Sequence, residues 1–110
     1  MENSLKVELA TSAAADLAAL FDYVATTRSS AEAHVLLDQL VARSQRLTTY
    51  PERGPVPQEL AALGVLDFRQ LLHGRYRMIY RVEATKVVVV MIADGRRDMK
   101  NLLQQRLLGN

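Results

Sequence analysis

Apolar and polar positions change their period three times along this chain. Leu5, Val7 and Leu9 alternate with Lys6 and Glu8, the two-residue period of a short, half-buried strand. Ala13, Leu17, Leu20, Phe21 and Val24 then recur at spacings of three and four, which makes one face of a helix apolar. Thr11 or Ser12 is placed to cap its start, and Asp16 lies close enough to favour the positive end of the helix dipole. Ser29-Ser30-Ala31-Glu32 has the form of a capping box, with Ser29 as the cap and Glu32 reaching back. It opens a second helix whose apolar face is Ala33, Leu36, Leu37, Leu40, Val41 and Leu47. Pro51 disfavours helical geometry at the residue before it, so this helix ends near Tyr50. Two such helices joined by a tight turn form a hairpin that needs another surface to cover its shared apolar face.

Pro51 to Pro57 is a stiff surface loop, and Gln58–Leu63 forms a helical turn closed by Gly64. The period then returns to two. Leu66–Leu72, a His73-Gly74 break and Arg75–Val82 make a strand hairpin, and Glu83–Thr85 makes the next turn. Tyr76, Met78, Tyr80 and Val82 fall on one face, with Arg75, Arg77, Ile79 and Arg81 on the other. Val87–Ala93 is almost wholly apolar, as a central strand covered on both faces would be. Asp98 is placed to cap a last helix through Met99, Leu102, Leu103, Arg106 and Leu107. The expected fold class is α+β: an N-terminal strand, a helical hairpin, a three-stranded antiparallel meander and a C-terminal helix. The helices are expected on one sheet face. Residues 1–110 are read as a single domain.

Composition sharpens this picture in two ways. The chain has no cysteine, so neither disulfides nor thiolate metal sites are expected. No apolar run approaches the roughly 20 residues that cross a bilayer, and the first residues lack the form of a secretory signal. A cytoplasmic protein with no membrane association is the expectation. Charge is uneven: from Leu66 onward nine basic residues face four acids, whereas residues 1–65 hold five bases and eight acids. A net charge of only +2 therefore hides a basic sheet segment beside an acidic helical one. Such a segment suits a polyanion or an acidic partner, because summed surface charge steers association.

The basic residues that stand out are Arg69, Arg77, Arg81, Arg96 and Arg97. Arg77 and Arg81 share a strand face, roughly 13 Å apart at about 3.3 Å per residue, and Arg69 joins them if the neighbouring strand's register allows. Guanidinium groups present paired donors that match phosphate oxygens, so Arg69, Arg77 and Arg97 are candidate target- or phosphate-binding residues. Catalysis on RNA would also need a base and an acid. His73, Tyr76, Tyr80 and Asp94 are the candidates within reach. His73 sits in a turn and is a weak catalytic candidate, the two tyrosines fall on the core face, and Asp94 is better suited to shape a turn or pair with an arginine. His34 stands alone, and no metal-ligand spacing, glycine-rich phosphate loop or nucleophile elbow occurs. No metal and no cofactor are expected.

Several of these segments together carry a resemblance. Phe68-Arg69, Tyr76-Arg77-x-Ile79-Tyr80-Arg81 and Ile92-Ala93-Asp94-Gly95-Arg96-Arg97-Asp98 resemble the RelE/ParE superfamily of bacterial type II toxin–antitoxin toxins. Tyr50-Pro51 and Gly54-x-x-x-x-Glu59-Leu60 extend the likeness over nearly the whole chain. RelE-like members cut messenger RNA in the ribosomal A site, whereas ParE-like members poison DNA gyrase. The likeness places Arg69 and Leu71 where the nuclease carries two lysines, Arg77 and Arg97 where it carries arginines, and Leu103 where it carries a tyrosine. Leucine cannot transfer a proton, and loss of an acid or base typically costs about 10²–10⁴-fold in rate.

The resemblance therefore implies a ParE-like toxin that inhibits gyrase, with growth inhibition and plasmid stabilisation as outcomes. The alternative is a RelE-like, ribosome-dependent mRNA endonuclease. A third reading is an inactive remnant that only binds its antitoxin. A cognate antitoxin is the implied partner in a hetero-oligomeric complex, with its acidic residues expected on Arg77, Arg81, Arg96 and Arg97. Arg77 and Arg97 are expected to face solvent, so that charge reversal at either would leave the fold intact.

Overall fold

The chain's most apolar segment becomes the spine of a four-stranded sheet in the computed structural model, which describes residues 5–109. In chain order the elements are β1 (Lys6–Leu9), α1 (Thr11–Thr27), α2 (Ser30–Gln45), a 3-10 turn (Arg46–Thr48), the short α3 (Gln58–Ala61), β2 (Arg69–His73), β3 (Tyr76–Val82), β4 (Lys86–Asp94) and α4 (Met99–Leu107). The strands lie in the order β1-β4-β3-β2. β2, β3 and β4 form the expected antiparallel meander, and β1 runs parallel to β4 with Lys6 opposite Lys86 and Leu9 opposite Val89. The helical hairpin is the crossover that a parallel neighbour requires. Gly74, at φ +58°, supplies the left-handed residue of the two-residue turn between β2 and β3.

Because β4 has no polar face, both sides of the sheet must be covered. The hairpin packs on one side, where Ala13, Leu40 and Leu47 meet Leu71, Met78, Tyr80, Val87, Val89 and Ile92. The one-face expectation holds for the hairpin but not for the other helices. Leu60 of α3 and Met99 and Leu103 of α4 lie on the opposite side, against Ile79, Val88, Val90, Met91 and Ala93. A register shift at Ile79/Tyr80 puts Met91 opposite Ile79 and Val89 opposite Tyr80, leaving Val90 as the extra residue of a bulge. That extra residue is why Val90 and Met91 both join the second core.

The start of α1 departs from expectation. Its cap position is Ala10, and neither Thr11 nor Ser12 caps it. Ser12 instead donates its hydroxyl to the Val90 carbonyl (3.1 Å), and Asp16 accepts the Ile92 amide (3.0 Å) rather than serving the helix dipole. β1 ends at Leu9, so these side chains satisfy the edge of β4 that β1 leaves bare. Arg106 of α4 completes the arrangement, meeting both Asp16 oxygens at 2.9 Å and the Val90 carbonyl at 3.1 Å. The same carboxylate thus ties together α1, β4 and α4. Replacing Arg106 with alanine is expected to cost about 1–2 kcal/mol, because a two-point, half-buried pair is lost. Hydrogen exchange should show the α4 amides losing protection before those of β3 or β4; equal protection in wild type and variant would refute this.

Other local signals perform as expected. Ser29 accepts the Glu32 amide (3.0 Å) and Asp98 accepts the Asn101 amide (3.2 Å). Glu32's carboxylate, however, turns to Arg28 instead of reaching back to the Ser29 amide. The α-helical part of the second helix stops at Gln45, and the 3-10 turn carries the chain on to bury Leu47. β2 starts at Arg69 rather than Leu66, and Leu66 is exposed.

Candidate functional site

Five arginines were grouped by sequence, and the sheet divides them. Register places Arg69 opposite Tyr80 and Leu72 opposite Arg77. Directly opposed residues share a face, so Arg69 lies on the hairpin side and Arg77 on the α3 side. Arg69 does not join Arg77 and Arg81. Its guanidinium donates to the Glu52 and Gly54 carbonyls at 3.2 and 2.8 Å, holding the Pro51–Pro57 loop against the edge of β2.

Arg77 is not solvent-facing either. Its side chain is 13% exposed, and each nitrogen of its guanidinium is engaged: Nε donates to Gln70 Oε1 and the two terminal nitrogens to the Glu59 carboxylate, each at 2.8 Å. The stem lies so close to Gly95 that a Cβ there would sit 2.9 Å from Arg77 Cδ. This is a structural ion pair, and it overturns the expectation that charge reversal at Arg77 would spare the fold. Arg81 shares the Arg77 face but pairs with Glu83 at 2.7 Å.

Arg96 and Arg97 follow β4 at the sheet's end and are exposed, as the sequence indicates. Asp94 does both things expected of it. One oxygen accepts the Arg96 amide (2.9 Å), and its carboxylate is gripped by the guanidinium groups of Arg96 and Arg75. Arg75 also lies over the Tyr76 ring, 5.4 Å from its centroid. Arg97 is different: among the described residues no acid and no acceptor meets its side chain. It lines a cleft beside α1 whose walls include neither Glu59 nor Arg77.

The proton-handling candidates are equally scattered. His73 lies against α2 with Nε2 2.9 Å from Gln39 Oε1. Tyr76 and Tyr80 are buried in the hairpin-side core, as expected. The Tyr80 hydroxyl accepts the Gly54 amide (3.1 Å), and burial pushes its pKa above the ordinary phenol value. Leu71 is buried in the hairpin-side core and Leu103 in the opposite one. Glu59 is the important residue whose role sequence reasoning missed. The clue was an arginine on a strand whose flanking residues are otherwise core.

A profile of the ParE toxin of type II toxin–antitoxin systems, parDE, matches residues 7–99. The chain belongs to the ParE toxin family. Its fold is similar to that in the chromosomal ParDE toxin–antitoxin system from P. aeruginosa, with a TM-score of 0.70, 18% identity, and coverage of 84% of this chain and 97% of that one. It is also similar to a chain of the RelBE2 toxin–antitoxin complex from Mycobacterium tuberculosis, with a TM-score of 0.58, 22% identity, and coverage of 83% and 91%. No curated protein matches the sequence. As a ParE-family chain it is the toxin member of a type II system. Among its described residues no helix is long and apolar enough to cross a membrane.

The ion pair also sets a pH dependence. The Arg77 hydrogen bonds hold the Glu59 carboxyl below its ordinary value, and those from Arg96 do the same for Asp94. A depressed folded pKa gives stability that is complete above the unfolded value and is lost as pH falls through the folded one. Stability is therefore expected to hold at neutral pH and decline below about pH 4, where carboxylates ordinarily titrate. Urea midpoints measured from pH 6 to pH 3 should fall more shallowly for Glu59→Gln than for wild type; identical slopes would rule out the pair as a source.

Proposed function

We propose that this ParE-family toxin acts by binding rather than by cutting, with DNA gyrase as its target and a cognate antitoxin as its neutralising partner. The observation that carries the reading is where the would-be catalytic positions lie. Leu71 and Leu103 are core residues on opposite sides of the sheet and cannot move a proton. Arg69 staples a loop, Arg77 is neutralised by Glu59, and Arg97 lines a cleft that includes neither. Three arginines that do not converge cannot clamp one scissile phosphate. The family match and the two toxin–antitoxin neighbours support the antitoxin as partner.

Expression in growing bacteria tests this directly. Growth arrest is expected with early DNA-damage signalling while protein synthesis continues. Purified toxin incubated with gyrase and supercoiled plasmid should block supercoiling or accumulate cleaved DNA. Cleavage of transcripts on programmed ribosomes at an enzymatic pace, with gyrase unaffected, would overturn the proposal in favour of the nuclease alternative.

A further inference from the structure

The turn after β4 is clamped to the start of β3. The Gly95 amide donates to the Arg75 carbonyl (2.7 Å), the Arg97 amide donates to the Asp94 carbonyl (3.1 Å), and Tyr76 stands opposite Asp94 in the register. A Cβ on Gly95 would sit 3.1 Å from that same Arg75 carbonyl, so the two segments meet backbone to backbone. This fixed unit carries Arg75, Arg96 and Arg97. Asp94 lies behind them with its side chain 20% exposed, whereas those of Arg75 and Arg96 are 44% and 68% exposed and Arg97 is exposed. Its carboxylate holds the Arg75 and Arg96 guanidiniums from behind, so these cations are ordered before any ligand arrives.

Charge at this rim is unbalanced. Elsewhere among the described residues the ion pairs match one cation to one acid: Arg28 to Glu32, Arg81 to Glu83, Arg106 to Asp16. Asp94 alone serves two, and no described acid meets Arg97. Three guanidinium groups thus answer to one recessed carboxylate, which leaves positive potential directed at solvent. Their donors match phosphate oxygens, and a rigid trio suits a polyanion whose charges recur at fixed spacing. An acidic polypeptide needs apolar anchors among its charges, yet the turn Asp94–Asp98 has no apolar side chain. Single strands stack successive bases on successive rings. Here one ring is open, Tyr23 at 62% exposure, because Tyr76 is buried. We propose that Arg75, Arg96 and Arg97 form a sequence-independent contact with the phosphates of duplex DNA. The inference deepens the gyrase reading and rests on it only for identifying that duplex as the DNA on which gyrase works.

Whole toxin titrated into a short fluorescein-labelled duplex, followed by anisotropy over a range of salt, tests this without gyrase. The logarithm of affinity is expected to fall against that of salt with a slope of about −2.7, the value for three neutralised phosphates. Two duplexes of unrelated sequence should bind alike. Arg97→Ala should keep the wild-type urea midpoint, weaken binding about tenfold and bring the slope to about −1.8, as loss of one phosphate contact does. Arg81→Ala removes the same charge about 20 Å along β3 from Arg75 and should change neither affinity nor slope. No binding at low salt, a flat salt dependence, or an Arg81→Ala loss equal to that of Arg97→Ala would overturn the proposal. So would tighter binding of polyglutamate or of single-stranded DNA than of the duplex. A toxin that blocks gyrase yet ignores DNA alone would sink this inference only, and one that grips DNA yet spares gyrase would sink only the gyrase reading.

Discussion

Arg77→Glu is expected to lose about 3 kcal/mol of stability, near the lower end of the cost of breaking a buried ion pair. The substitution does more than remove a partner: it sets a second carboxylate against Glu59 in a site where the two wild-type side chains are only 13% and 23% exposed. Domains of this size hold about 5–15 kcal/mol in total, so the loss should appear as a fall of about 10 °C or more in midpoint. Arg97→Glu supplies the contrast, since none of the described residues binds that side chain and its stability should change by no more than about 0.5 kcal/mol. The double change Arg77→Met with Glu59→Leu should recover most of the loss, because replacing both partners leaves no unpaired charge. Differential scanning calorimetry of the four proteins decides the matter. An Arg77→Glu midpoint equal to wild type would show the pair to be dispensable. The practical lesson is that lost toxicity in an Arg77 variant reports on folding before it reports on target contact.

Gly54→Ala should be nearly as damaging for a different reason. A Cβ at this position would lie 2.0 Å from the Gln70 carbonyl oxygen and 2.9 Å from the Tyr80 hydroxyl. The closest obstacle is strand backbone, which cannot step aside as a flexible side chain would. The loop must then lift from β2, taking with it the Gly54 amide bond to Tyr80, the Gln70 amide bond to Pro55 at 2.9 Å and the Arg69 contacts. A cost of about 2–3 kcal/mol is expected from overpacking. Tyr80→Phe separates sterics from hydrogen bonding, since it strands the Gly54 amide without adding volume and should cost about 1–2 kcal/mol. Urea unfolding measures both, and exchange at the Gln70 amide should rise in Gly54→Ala. A wild-type midpoint for Gly54→Ala would mean the loop is not seated as described.

The sequence was most legible where structure is local. Ser29 and Asp98 as caps, the glycine turn at Gly74, and the core face Tyr76-Met78-Tyr80 all depend on residues within a few positions of one another. The apolar run of β4 correctly implied cover on both sides, which in turn required a helix opposite the hairpin. Alternation, however, gives the relative facing of residues within one strand only. Whether Arg69 shares a face with Arg77 depends on a register set by the turn between their strands. The partner of Arg77 is 18 residues away on α3, and that of Arg106 is 90 residues away on α1. No periodic pattern encodes such pairings, so Arg77, expected to face solvent from sequence, is instead held by Glu59. Leu71 and Leu103 were identified as non-catalytic by their chemistry, but their placement in two separate cores needed the fold.

The loop seated against β2 has one more consequence. A strand at the rim of a sheet presents bare amides and carbonyls on which a neighbouring chain can template itself. Here Pro55 occupies the Gln70 amide and Arg43 the Leu72 carbonyl, so the molecule shields that rim with its own atoms. Variants that unseat the loop should clump at concentrations where wild type stays dispersed, even while most molecules are still folded.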